Sequence, residues 1–132
     1  MADPHRIDPE ERPYEVSRLP TKPVAGIEPF AALDLRVGTV VEVAPFPEAR
    51  EPAWKVAVDF GPVLGVLWTS AKITNYAAEA LAGRQVVGAV NLGSRRIAGF
   101  ESRFLVLGGL EADGTVRLLQ PDRPLPDGSS VG

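Results

Sequence analysis

Two adjacent arginines, Arg95 and Arg96, stand in the stretch Asn91-Leu92-Gly93-Ser94-Arg95-Arg96-Ile97-Ala98-Gly99-Phe100. A guanidinium is a planar fork that holds a phosphate through two parallel N–H bonds, which an ammonium cannot do. Taken alone, the pair fits two solvated loop arginines as well as a phosphate clamp, and Glu101 is an alternative partner for one of them. Lys72 and Ser70 offer a cation and a hydroxyl to a phosphate or sugar, with a strand-end lysine and a turn serine as the equal alternative. Arg50 reads as a rim charge. Asn91 carries an amide that either reads a base edge or holds the loop backbone, and the second is favoured. Trp68, Ile97 and Phe100 are the candidates to stack a base or grip an apolar peptide side chain. Trp68 alternates with Leu64 and Val66, which favours a core position. Phe100, beside Gly99, is expected to be partly exposed.

Catalytic chemistry has little to stand on. The chain has no cysteine, and its one histidine, His5, lies in a proline-rich leader. A thiol nucleophile, a cysteine metal site and histidine acid–base chemistry are therefore excluded from the domain. Asp34 and Asp59 sit at strand ends with ordinary turn or cap explanations. Ser70 lacks a histidine base, and no glycine loop with a following lysine cradles phosphate. No enzyme activity, cofactor or metal is expected. No apolar run approaches the ~18 residues that cross a bilayer, so no membrane partner is expected. The net charge is −3, but it is unevenly spread. Residues 29–110 hold seven acids and eight bases between two acidic flanks. Any contact with a polyanion must be local and salt-sensitive.

The elements that would position these side chains follow from period and punctuation. Residues 1–28 contain five prolines and form an extension without regular structure, which Tyr14, Val16 and Leu19 could pin to the domain. Pro29 opens a helical turn whose Phe30 and Leu33 are expected to plug one barrel end. Leu35 to Val43 alternates as a strand, with Leu35, Val37, Thr39, Val41 and Val43 on one face and Gly38 suggesting a bulge or a sharp bend. Trp54 to Phe60 is the second strand, with Trp54, Val56, Val58 and Phe60 inward and Lys55 and Asp59 outward. Val63 to Thr69 is the third. Asn75 is expected to cap a short helix over Ala77 to Leu81, ended by Gly83. Arg84 to Val90 is the fourth strand, residues 91–102 a loop, and Arg103 to Leu107 the fifth strand. Val116 to Leu119 is an added strand. Three strands, a helix and two strands is the order of the OB-fold, an all-β, five-stranded Greek-key barrel, here with a short helix between strands three and four and a C-terminal extension. Its binding loops would be residues 44–53 and 91–102.

Residues 30–109 and the tail resemble the CsaA-type chaperones, within the OB-fold tRNA-binding domains appended to some aminoacyl-tRNA synthetases. The resemblance is carried by Leu33-Asp34-Leu35-Arg36-Val37-Gly38-Thr39-Val40, Phe46-Pro47-Glu48-Ala49-Arg50, Thr69-Ser70-Ala71-Lys72-Ile73-Thr74, Gly83-Arg84-Gln85-Val86-Val87, and Arg95-Arg96-Ile97-Ala98-Gly99-Phe100 running on to Leu105-Val106-Leu107-Gly108. It implies a non-catalytic cytoplasmic homodimer that binds tRNA, with unfolded or export-bound polypeptides as the alternative partner. It divides the chain into an extension over 1–28, an OB-fold tRNA-binding domain over 29–109 and a C-terminal extension over 110–132 that helps build the dimer. With the placement in a binding loop, it tips one or both of Arg95 and Arg96 towards phosphate. Lys72, Ser70, Arg50 and Asn91 complete the candidates for RNA contact, and Ile97, Phe100 and Trp68 are the candidates for peptide contact. The chain departs from the pattern at Glu51 and Glu101, where lysines are common, and at Gly93-Ser94, where prolines are.

Overall fold

The computed structural model describes residues 12–132; His5 and the start of the leader lie outside them. The first described residues run extended past a single 3-10 turn, Val16–Arg18. Tyr14 pins this segment by donating its backbone N–H to the Ala112 carbonyl at 3.0 Å. Val16 and Leu19 are exposed and pin nothing.

Helical turn α1 (Glu28–Ala31) leads into strand β1 (Leu35–Pro45), followed by β2 (Trp54–Asp59), helical turn α2 (Gly61–Leu64), β3 (Val66–Ala71), helical turn α3 (Ala78–Leu81) and β4 (Gln85–Ala89). Short strands β5 (Arg95–Ile97), β6 (Phe100–Ser102), β7 (Leu105–Val106), β8 (Gly108–Leu110) and β9 (Val116–Leu118) complete the chain. The main sheet is antiparallel, in the order β3-β2-β1-β4-β7. Its two edges approach each other where Thr69 Oγ1 donates to the Phe104 carbonyl at 2.7 Å. The result is a nearly closed five-stranded barrel of OB type.

Phe60, fully buried, fills the barrel with its ring edge-on to Phe104 at 4.9 Å. Two glycines make the room. A Cβ on Gly38 would fall 2.8 Å from the Phe60 ring, and one on Gly88 would fall 2.7 Å from it. Gly38 is thus a close approach and not the bulge. The bulge lies between Val40 and Glu42. It exchanges the two faces of β1: Gly38 and Val40 point into the core before it and Val43 after it, while Val41 is 52% exposed. The single face expected for Leu35, Val37, Thr39, Val41 and Val43 is corrected accordingly, because a bulge inserts one residue and shifts the period of two.

Three further expectations change. Phe30 and Leu33 stand 47% and 41% exposed and plug nothing. Val63 and Leu64 belong to α2, which carries Pro62 in its first turn and which Gly65 ends at φ 69°, so β3 begins at Val66. Ala77, not Asn75, precedes α3. Asn75 instead donates to the Val116 carbonyl at 3.0 Å. The added strand β9 pairs with β8 inside the chain, and Val116 and Leu118 join the core. Residues 128–131 then run back along the first half of β1, through Gly128 N–H to Val37 O (2.8 Å), Val37 N–H to Ser129 O (2.9 Å) and Val131 N–H to Leu35 O (2.9 Å). Gln85 holds that segment from the side through both backbone polar groups of Leu125.

Candidate functional site

The expected loop over residues 91–102 contains a β-hairpin. Ala98 and Gly99 turn it with φ of 48° and 80°. Positive φ at both central residues is the twist that matches antiparallel strands. Arg95 faces Ser102, Arg96 faces Glu101 and Ile97 faces Phe100. Side chains alternate along a strand, so Arg95 and Arg96 leave on opposite faces of the hairpin. Arg95 is exposed and makes no hydrogen bond or ion pair among the described residues. Arg96 is exposed and donates to the Gly99 carbonyl at 3.0 Å. Glu101 pairs with Arg103 at 3.3 Å and not with Arg96.

The hairpin is fixed to β3 by buried hydroxyl chemistry. Thr69 Oγ1 and Ser102 Oγ lie 2.8 Å apart, and the Ser102 hydroxyl also accepts from the Ser70 N–H at 3.3 Å. The Arg103 N–H donates to the Trp68 carbonyl at 2.9 Å. Buried hydroxyls left unpaired would cost about 1–3 kcal/mol each, so this contact sets the register of hairpin against strand.

Beside that joint lies an open groove of about 430 Å³ lined by Ala44, Lys55, Val66, Trp68, Phe100, Glu101 and Arg103. Phe100 meets Trp68 edge-on, ring centres 6.3 Å apart, and meets Phe46 edge-on at 5.4 Å. The Lys55 ammonium sits 5.0 Å from the centre of the Phe100 ring and 4.8 Å from that of Phe46. A cation held over two aromatic faces keeps its charge close to a place where a planar ligand could stack. Its lining comes from β1, β2 and β3 on one side and from the hairpin and Arg103 on the other. This is the face on which OB barrels present ligand contacts.

The groove gathers some of the expected residues and leaves others. Trp68 is half-buried on the groove side, which corrects the core position. Phe100 is half-buried beside it, and Ile97 is half-buried on the same hairpin face as Phe100. Ser70 is half-buried on the outer face of β3, opposite Lys55. Lys72 sits 3.1 Å from Glu51 in an ion pair. Arg50 is exposed in the first loop. Asn91 spends its amide on backbone: its oxygen accepts from Asp34 N–H and its nitrogen donates to Ala32 O, both at 2.8 Å. Next to it the Asp34 carboxylate, hydrogen-bonded to Arg36 at 2.9 Å, raises the Arg36 guanidinium pKa.

Lys55, Arg103, Phe46 and Val66 were not singled out by sequence. For Lys55 the signal was present, since the alternation of β2 points it away from Trp54 and Val56. Arg103 became legible only once the hairpin placed it beside Trp68. Among the described residues, no cluster of histidine or carboxylate side chains could hold a metal, and no helix is long and apolar enough to cross a membrane.

Residues 35–130 match the family described as "Putative tRNA binding domain". The chain is 38% identical over 110 residues to the methionine–tRNA ligase of Methanothrix thermoacetophila, covering 83% of this chain and 16% of that protein. It is 36% identical over 104 residues to the methionine–tRNA ligase of Porphyromonas gingivalis strain W83, covering 79% and 15%. The chain thus spans about one sixth of the length of these relatives. Among solved structures, the chaperone CsaA of Bacillus anthracis strain Ames is 47% identical with a TM-score of 0.79, over 83% of this chain and all of that one. The CsaA chaperone protein of Picrophilus torridus is 38% identical with a TM-score of 0.78 over the same shares.

Proposed function

Because the chain belongs to the tRNA-binding domain family, together with the CsaA chaperones, we propose that it holds tRNA without catalysing a reaction on it. The observation that carries this reading is the groove, where a cation over aromatic rings, Lys55 with Phe46 and Phe100, lies beside Trp68 and below a hairpin with two exposed arginines. Arg95 and Arg96 take backbone phosphates from either side of the hairpin, and Trp68 and Phe100 offer ring faces to unpaired bases. Phosphate contacts position the RNA and carry no sequence information, so tRNA is recognised chiefly by shape. Lys72 and Ser70 contribute at the edge, Lys72 sharing its charge with Glu51. A homodimer in the cytoplasm belongs to the same reading. In that reading the C-terminal extension over residues 110–132 helps build the dimer.

The test is tRNA affinity by fluorescence anisotropy for Lys55→Ala and for an Arg95→Ala, Arg96→Ala double variant. Each is expected to lose affinity roughly tenfold or more, at the scale of charged hydrogen bonds of about 1.5–3 kcal/mol. Unchanged affinity in both variants removes the site assignment.

A second reading, a polypeptide-binding chaperone, has its own observation. Val66, Trp68, Ile97 and Phe100 form an apolar strip in and beside the groove, with Val66 half exposed. Apolar contacts with a peptide would be nearly insensitive to salt, whereas phosphate contacts weaken steeply as salt rises.

A further inference from the structure

The groove has a polar wall that phosphate binding does not use. Glu101 and Arg103 both line it, with Glu101 Oε2 3.3 Å from Arg103 Nη2. Their position beside the aromatic floor is set by the main chain: Arg103 N–H to Trp68 O at 2.9 Å, braced by the buried Thr69–Ser102 contact at 2.8 Å. A carboxylate here works against a polyanion's phosphates, so charge complementarity gives no reason for it. It does complement hydrogen-bond donors on a neutral ring.

We infer that this wall makes the groove a pocket for one unpaired base and that the base it selects is guanine. The inference rests on the RNA-binding reading of the same groove. A base stacked on Trp68 has its edge directed to the side, where a carboxylate and a guanidinium stand next to each other. Sequence-selective RNA recognition works on such splayed bases, through stacking and contacts to their Watson–Crick edges. The guanine edge presents two adjacent donors, N1–H and N2–H, and next to them the acceptor O6. Glu101 takes the two donors and Arg103 gives to O6. Adenine sets its N1 acceptor against the carboxylate. Cytosine has one donor next to two acceptors. Uracil has a single N3–H between two carbonyls. None of these three pairs both oxygens of Glu101. Lys55, over the Phe100 ring in the same groove, stays available to the phosphate or ribose of the same nucleotide.

The experiment measures binding of the full chain to short fluorescein-labelled oligouridines carrying one central guanine, adenine, cytosine or inosine, at fixed ionic strength. The guanine strand is expected to bind roughly tenfold tighter than the adenine and cytosine strands, inside the range that a good bidentate base contact supplies. Inosine, which keeps N1–H and O6 but lacks the N2 amine, falls between them. Glu101→Gln collapses the four strands towards a single affinity, and Trp68→Ala weakens all four alike. Circular dichroism confirms that both variants fold, and the inosine comparison requires no variant at all. Equal binding of the guanine and adenine strands, still weakened by salt, overturns the guanine inference and leaves the RNA reading standing. A guanine preference that survives in Glu101→Gln overturns the role of Glu101. Failure to bind any strand overturns both the inference and the reading beneath it.

Discussion

Asn91 and the two arginines that follow it show how differently neighbouring polar residues are used. Asn91 faced a choice between reading a ligand and holding backbone. The structure commits both ends of its amide to Asp34 N–H and Ala32 O, across the junction of α1 and β1. Asn91→Ala leaves those two groups to solvent or unpaired. It is expected to lower stability by about 1–2 kcal/mol, the scale of one or two hydrogen bonds, while tRNA affinity changes little. A urea denaturation midpoint together with an anisotropy titration checks this. A large loss of affinity at unchanged stability would return Asn91 to the binding residues. Arg95 and Arg96 were legible as a pair by type. That they diverge was not legible, because it depends on their lying in a strand and not in an open loop.

At the scale of elements, sequence resolved the strands with clean alternation and failed where a local device shifted the period. In β2 the alternation runs without interruption, and Trp54, Val56, Val58 and Phe60 lie inward as their spacing implied. In β1 the bulge between Val40 and Glu42 exchanges the faces. Before β3, the apolar run from Val63 gave no sign that its first two residues close a helical turn. Counting from Leu64 through the left-handed Gly65 then placed Trp68 on the wrong side. Short continuous apolar runs do not separate strand from helix by period. The hairpin was hidden for another reason. Its turn is Ala98-Gly99, with Ala98 at φ 48°, where a Cβ is disfavoured and where asparagine would have announced the turn. Ala98→Asn is therefore expected to stabilise the hairpin by roughly 1 kcal/mol, raising the melting temperature by a few degrees. Differential scanning calorimetry reads the shift. No change, or a fall, means that the strain at Ala98 is absorbed by something other than the side chain.

At the scale of the whole molecule, a net charge of −3 has to be reconciled with a polyanionic ligand. At physiological ionic strength the screening length is about 8 Å, so acidic residues beyond that distance add little at the groove. The local inventory decides. Lys72 is tied to Glu51 and Arg103 to Glu101, whereas Lys55, Arg95 and Arg96 have no carboxylate partner among the described residues. Three or so phosphate contacts, at about −0.7 to −0.9 each, give a slope of log K against log salt near −2 to −3. The Arg95→Ala, Arg96→Ala double variant removes two of those contacts and should flatten the slope by about 1.5, which separates lost phosphate contacts from a general loss of fold. A slope near zero in the parent chain would move the ligand away from nucleic acid and towards an apolar peptide. A slope much steeper than −3 would mean that the RNA also rests on cations outside the groove, such as Arg50 or those of a second copy. The barrel was legible from element order. The charge that serves it was not, because ion pairs such as Lys72 with Glu51 form between segments far apart in sequence and become countable only once the fold has brought them together.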